Sequence, residues 1–172
     1  MITLKNILVA TDFSEPAEVA TDYGQDLARS YGANLHVMHV IEDILAVYAS
    51  DVSSELPAIQ HNIAAVAERN LDSLAAPGRE TFRKVIVRSA SVSNAITEYA
   101  KANAIDLIIV GTHGRGAVSR FLMGSVAERV VRTAPCPVLT VHAGETDFIE
   151  SLERDEDEHA SDLEATAVND RH

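Results

Sequence analysis

Residues 105–141 read IDLIIVGTHGRGAVSRFLMGSVAERVVRTAPCPVLTV, and the reading of this stretch decides the fold class. The run Leu107, Ile108, Ile109, Val110 is too short for a typical helix and is bounded by Asp106 and Gly111, as expected of a strand buried on both faces. Gly111 is followed by two residues and Gly114, then by nine residues, Gly124 and Ser125, after which a helical pattern resumes at Val126, Val130 and Val131. Glycines at these places leave backbone N–H groups unblocked, and a Gly-Ser helix start aims a helix N-terminus at whatever lies beyond the strand. Such an arrangement suits an anion, most often phosphate. The glycines could also serve only to turn the chain.

Upstream, Asn6 to Ala10 is a short apolar run that stops at Thr11, Asp12, Phe13 and Ser14, the pattern of a buried strand entering a loop. Ser14 is placed to cap the next helix, Pro16 suits its first turn and Gly32 its end, with Val19, Tyr23, Leu27 and Tyr31 spaced along one face. Leu35 to Ile41 reads as the second strand. Glu42 to Pro57 breaks both periodicities and reads as a long loop with a helical turn near Ile44 to Tyr48. Ile59, Ile63, Val66, Ala67, Leu71 and Leu74 predict a helix that Pro77 and Gly78 stop. Lys84 to Val87 is a third strand, and Ser93 is placed to cap a helix carrying Ile96, Tyr99 and Ala100. A helix from Ser125 to about Thr133 and a fifth strand, Val138 to Val141, complete the pattern. Regular alternation of strand and helix predicts an α/β fold with right-handed crossovers and a parallel sheet covered on both faces.

A chain of 172 residues, 47% hydrophobic and 23% charged, suits one soluble globular domain with a sizeable core. MITLKNILVATD carries no cleavable signal pattern and no apolar run reaches membrane-spanning length, which points to the cytoplasm. The single cysteine, Cys136, lies between two prolines without a base nearby and reads as structural in a reducing compartment. The net charge of −12 is concentrated: 11 acidic and 2 basic residues lie between Glu145 and His172. The expected division is therefore a domain over residues 1–143 and an acidic, disordered tail over 144–172. No basic stripe offers itself to nucleic acid, and the tail would repel a phosphate backbone.

Gly111, Gly114, Gly124 and Ser125 match every fixed position of the glycine motif in the nucleotide-binding branch of the universal stress protein family, and NILVATDFS and CPVLTV resemble that family's opening and closing blocks. The resemblance covers about residues 1–142. It implies a Rossmann-like, open five-stranded parallel sheet of order 3-2-1-4-5 with helices on both faces, and a ligand at the switch point between strands one and four. By that resemblance Asp12 sits beside a nucleoside, Ala10 and Thr11 line the crevice with backbone groups, and Val40 meets adenine through its main chain. Gly111 and Gly114 would admit ribose and phosphates, and Gly124, Ser125 and Val126 would give amides and a hydroxyl to the phosphates. The implied ligand is ATP or another adenine nucleotide, with Mg²⁺ held mainly by the phosphates. The family resemblance also implies a homodimer through the edge strand Val138 to Val141.

Several residues keep two readings. Asp12 could make only an Asx turn, and Ser125 could be only an N-cap, although capping and phosphate contact share one geometry. His113, Arg115 and Arg120 could reach a phosphate or simply face water. A P-loop is excluded, because Ala117 and Val118 follow Gly116 where Lys and Ser or Thr are required. The dinucleotide fingerprint fails too: Ser119 stands where a third glycine belongs. Ala90 departs from the family, which often has glycine after the third strand. The expectation is an ATP-binding stress-response regulator in which the nucleotide is a conformational or assembly signal, with no catalytic or metal-ligating residue assigned and any hydrolysis slow. The alternatives are a weak nucleotide hydrolase or phosphotransferase using His113 or Asp12, and an interaction module working through its acidic tail.

Overall fold

The computed structural model describes residues 2–43, 56–74, 82–112 and 123–142, all in the first of two units of the chain, Met1–His142. The helical turn expected near Ile44, the loop residues His113, Gly114, Arg115 and Arg120, and the acidic tail lie outside the described residues. In chain order the elements are β1 (Asn6–Ala10), α1 (Glu15–Tyr31), β2 (Asn34–Glu42), α2 (Leu56–Leu74), β3 (Arg83–Ser89), α3 (Val92–Ala102), β4 (Leu107–Gly111), α4 (Ser125–Thr133) and β5 (Val138–Val141). The strands form one sheet in the order β3-β2-β1-β4-β5, as the family resemblance implied, and each pair is parallel, as the alternation of elements predicted.

The buried centres of β1, Ile7 to Val9, and of β4, Ile108 to Val110, are apolar because each face meets a different helical layer. Ile7, Val9 and Ile109 pack with Val19, Ala20 and Ala28 of α1 and Leu71 of α2. Leu8, Ile108 and Val110 pack with Ala95, Ile96 and Ala100 of α3 and Ala127 and Val130 of α4. The winding runs outward from β1 to β3 on one side and from β4 to β5 on the other, so it reverses between β1 and β4.

Asp106 fixes the start of this pair: its Oδ2 accepts the N–H groups of Lys5 at 2.7 Å and Asn6 at 2.9 Å, and its own N–H donates to Asn6 O at 2.8 Å. The two backbone donors, Asn6 first, hold its carboxyl below the ordinary carboxylate value. At the same end of the sheet, buried His36 shares a 2.9 Å hydrogen bond between Nδ1 and the Tyr99 hydroxyl, which meets its ring edge-on. Burial, then the nearby Arg83 charge, pushes the His36 imidazole down.

Some helix faces differ from the expected ones. Along α1 the buried stripe is Ala17, Ala20, Thr21, Gly24, Gln25 and Ala28 beside Val19, while Tyr31 is exposed. Small residues prevail there because the helix lies close to the sheet: a Cβ on Gly24 would collide with Val9 Cγ2 and stand 3.3 Å from Leu35 Cδ1. On α2, Ile63 and Val66 are 42% and 45% exposed, so Ala67 and Leu71 carry its buried contact with the sheet. The Ile59 side chain lies outside the described residues. On α4 only Ala127 and Val130 are buried, and Val126 and Val131 face outward. A repeat of apolar residues does not say which of two adjoining stripes a short strand can cover.

The caps are also redistributed. Gly32 closes α1 at φ +63°, as expected, and its neighbour's N–H, on Ala33, returns to Ala28 O at 2.9 Å. Ser14 occupies the N-cap of α1, but its hydroxyl bonds to Asp12 instead of the helix. Ser91, not Ser93, is the N-cap of α3, and Ser93 is buried in its first turn. Among the described residues no helix is long and apolar enough to cross a membrane.

Candidate functional site

Beyond the carboxyl ends of β1, β2 and β4 lies one crevice of about 560 Å³. Its first wall is built where β4 ends. Thr112 donates its N–H to Val141 O at 2.8 Å and accepts the N–H of Gly124 at 2.6 Å, so the chain leaves and re-enters the sheet edge at one point. Gly124 is the N-cap of α4, and its carbonyl accepts the Glu128 N–H at 2.9 Å. The next N–H groups, on Ser125, Val126 and Ala127, have no acceptor inside the helix by the geometry of any helix start. These residues line the crevice, so the positive end of the α4 dipole faces it.

The opposite wall comes from the turn after β1. Thr11 donates its N–H to Met38 O at 2.9 Å, and its hydroxyl accepts the Phe13 N–H at 3.0 Å. Asp12 Oδ1 accepts the Ser14 N–H at 3.1 Å and the Ser14 hydroxyl. Asp12 therefore makes the Asx turn and lines the crevice as well, and the two readings of it are compatible. Between Asp12 and Ser14, Phe13 sits at φ +62°, a left-handed conformation costing a side-chain-bearing residue about 1–2 kcal/mol. Its ring lies 4.5 Å from that of His39, whose Nδ1 is 2.9 Å from Thr11 O.

The floor and inner side are apolar: Met38 and Val40 of β2, Val110 of β4, Val92 and Ile96 of α3, and Ala127 of α4. Glu42 stands at the end of β2. The crevice thus has two halves, an apolar slot between β2, β4 and α3, and a backbone-amide edge at α4, with the Asp12 carboxylate lining it from the β1 turn.

Of the residues expected at the site, Ala10, Thr11, Asp12, Val40, Gly111, Gly124, Ser125 and Val126 all line this crevice, whereas His113, Gly114 and Arg115 lie outside the described residues. Gly111 has a reason beyond admitting a ligand: a Cβ there would stand 2.9 Å from the Pro16 carbonyl carbon and 3.0 Å from Pro16 Cβ. Its missing side chain makes room for the start of α1. Sequence reading did not single out Thr112, His39, Glu42, Val92 or Ile96. Only the register places His39 one step past the Ala10–Met38 pair and hence beside Thr11. Cys136 is half-buried and burial pushes its thiol up, as befits a packing residue.

An open, doubly wound parallel sheet with its crevice at the winding switch, between a slot and a helix N-terminus, places the chain among Rossmann-like α/β proteins. The model of the universal stress protein family matches residues 3–142, and the chain belongs to that family. It is 32% identical over 138 residues to universal stress protein A homolog 1 of Coxiella burnetii, covering 80% of this chain and 95% of that one. Among solved structures it is similar to the universal stress protein UspA from Lactobacillus plantarum, at 27% identity and a TM-score of 0.68, over 82% of this chain and 99% of that one. A universal stress protein solved in complex with cAMP shares the fold at 24% identity and a TM-score of 0.60, over 83% of this chain and 100% of that one.

Proposed function

We propose that this chain is of the nucleotide-binding branch of its family and holds an adenine nucleotide, ATP foremost, as a regulatory ligand in the cytoplasmic stress response. The observation that supports this best is the meeting of Asp12 with the Gly124–Ser125–Val126 helix start across one crevice. Its volume, about 560 Å³, falls within the few hundred to about 1,000 Å³ typical of small-ligand sites. A planar base fits the slot of Met38, Val40, Val92 and Ile96, where apolar side chains cover its faces and the β2 main chain is at hand for its polar edge. A carboxylate accepts hydrogen bonds from ribose hydroxyls and repels phosphate, so Asp12 favours a pose with the sugar beside it and the phosphates at the α4 amides. Among the described residues Asp12 and Glu42 are the carboxylates lining the crevice, and Mg²⁺ would ride on the phosphates, offsetting their charge.

Turnover is expected to be slow. Asp12 Oδ1 already accepts two hydrogen bonds from Ser14, which makes it a poor base for activating water. The nucleotide then acts by its presence, through the two elements it would join, the β1–α1 turn and the start of α4. The reading includes a homodimer through the outer edge of β5.

The test uses the full chain. With no Trp and four Tyr its own absorbance near 280 nm is low, so a bound adenine nucleotide should raise the signal at 260 nm. Acid extraction and ion-exchange chromatography would identify it, and calorimetry of stripped protein with Mg-ATP should show one site per chain. Protein that carries nothing and gives no heat with Mg-ATP, Mg-ADP or cAMP would overturn the reading. Partner binding that survives a Gly124 and Ser125 double variant would favour the interaction module instead.

A further inference from the structure

We infer that His39, on the neighbouring strand, is the positioning residue that holds the Asp12 carboxylate in place for the ligand. The inference rests on the nucleotide reading given above for what the carboxylate then does. His39 Nδ1 lies 2.9 Å from Thr11 O, and a carbonyl can only accept, so the Nδ1 atom carries the proton and donates it. The tautomer is thereby set. The same ring packs on Phe13, centroid to centroid at 4.5 Å with the planes inclined by 34°.

His39 therefore grips the residue before Asp12 with a hydrogen bond and the residue after it with a ring contact. Phe13 needs such a grip, because its φ of +62° is one that side-chain-bearing residues leave when nothing holds them. The turn's own bonds, Phe13 N–H to Thr11 Oγ1 and Ser14 N–H to Asp12 Oδ1, are local and travel with the turn if it swings. The Thr11 N–H bond to Met38 O fixes the first residue past the strand, and His39 adds a hold on the Thr11 carbonyl and, through its ring, on Phe13. In the alternating pattern of β2, His39 lies on the face of Val37 while Met38 and Val40 lie on the slot face, so its ring reaches the turn at the rim of the crevice that it also lines.

Two substitutions separate the contacts. His39→Asn keeps an N–H donor about where Nδ1 stands, and His39→Phe keeps a ring on Phe13 without the donor. In calorimetry of the full chain with Mg-ATP, His39→Phe should bind about tenfold more weakly, the weight of one buried hydrogen bond, and His39→Asn should recover most of that loss. In an Asp12→Ala background the same His39→Phe change should matter less than about threefold, since nothing remains to be positioned. Hydrogen exchange of the peptide carrying Phe13 and Ser14 gives a readout without ligand: it should quicken in His39→Phe and not in His39→Asn, with exchange in α3 and β4 unchanged.

Equal affinity of wild type and His39→Phe, or an undiminished effect in the Asp12→Ala background, would overturn the inference. Wild-type protein blind to Mg-ATP would overturn the nucleotide reading, and the exchange measurement would then decide whether His39 holds the turn: unchanged exchange in His39→Phe refutes it, and faster exchange upholds it.

Discussion

At position 111 the backbone of α1 passes so close that only glycine fits. The atoms a Cβ would meet include the Pro16 carbonyl carbon and oxygen, which cannot swing aside as a side-chain end can. Gly111→Ala should therefore destabilise the fold by about 1–3 kcal/mol, read as a lower urea midpoint, and an unchanged midpoint would refute the close approach. His36 offers a test by pH. Its native titration lies below the ordinary value of 6.5, so between the two the unfolded chain binds more protons than the folded one. The stability it contributes is full above 6.5 and falls as pH drops through the lowered native value. His36→Asn should flatten the stability profile between pH 7 and pH 5, measured by urea titration at about four pH values, and a parallel profile would sink the idea. The motif glycines could be read from spacing, because their chemistry is carried by residue type, and Asp12 came from the family resemblance. His39, Thr112 and Ile96 could not, since each acts through a neighbour that is distant in sequence.

Among the elements, α1 depends on closeness and β1–β4 on a carboxylate clamp. Gly24→Ala would add helix propensity worth about 1 kcal/mol, yet the new methyl must displace fully buried Val9. Overpacking of this kind costs about 1–3 kcal/mol, so the variant should melt lower, and a higher melting temperature would show that α1 has room to move. Asp106 joins the starts of β1 and β4 through the Lys5 and Asn6 amides. Its native carboxyl titrates below the unfolded one, so its contribution is present near neutral pH and is lost as pH falls through the native value. Asp106→Ala should cost about 1 kcal/mol at pH 7 and progressively less as the solution becomes acid. A cost independent of pH would assign the loss to packing. The position of every strand was legible from its short apolar run. The burial of α1, α2 and α4 was less so, because Tyr31, Ile63 and Val131 satisfy the helical period and still face outward.

For the whole molecule, the two-fold assembly proposed through β5 can be tested at one backbone group. Pro137 O and Val141 O bond to β4, so the alternating N–H and C=O groups of Val138 and Thr140 point to the free side of the strand. Thr140→Pro removes an outward donor and spares the β4 ladder; sedimentation should give a dimer for the wild type and a monomer for the variant. A monomeric wild type at micromolar concentration would refute the assembly. Periodicity and turn chemistry by themselves determined the order of strands and helices along the chain, and the glycine motif carried the family resemblance, because these depend on near neighbours in sequence. Only the tertiary structure decided that Gly111 makes room for α1 and that His39 reaches the β1–α1 turn from another strand. Those facts arise from register and from the approach of one layer to another, which no local stretch of sequence encodes.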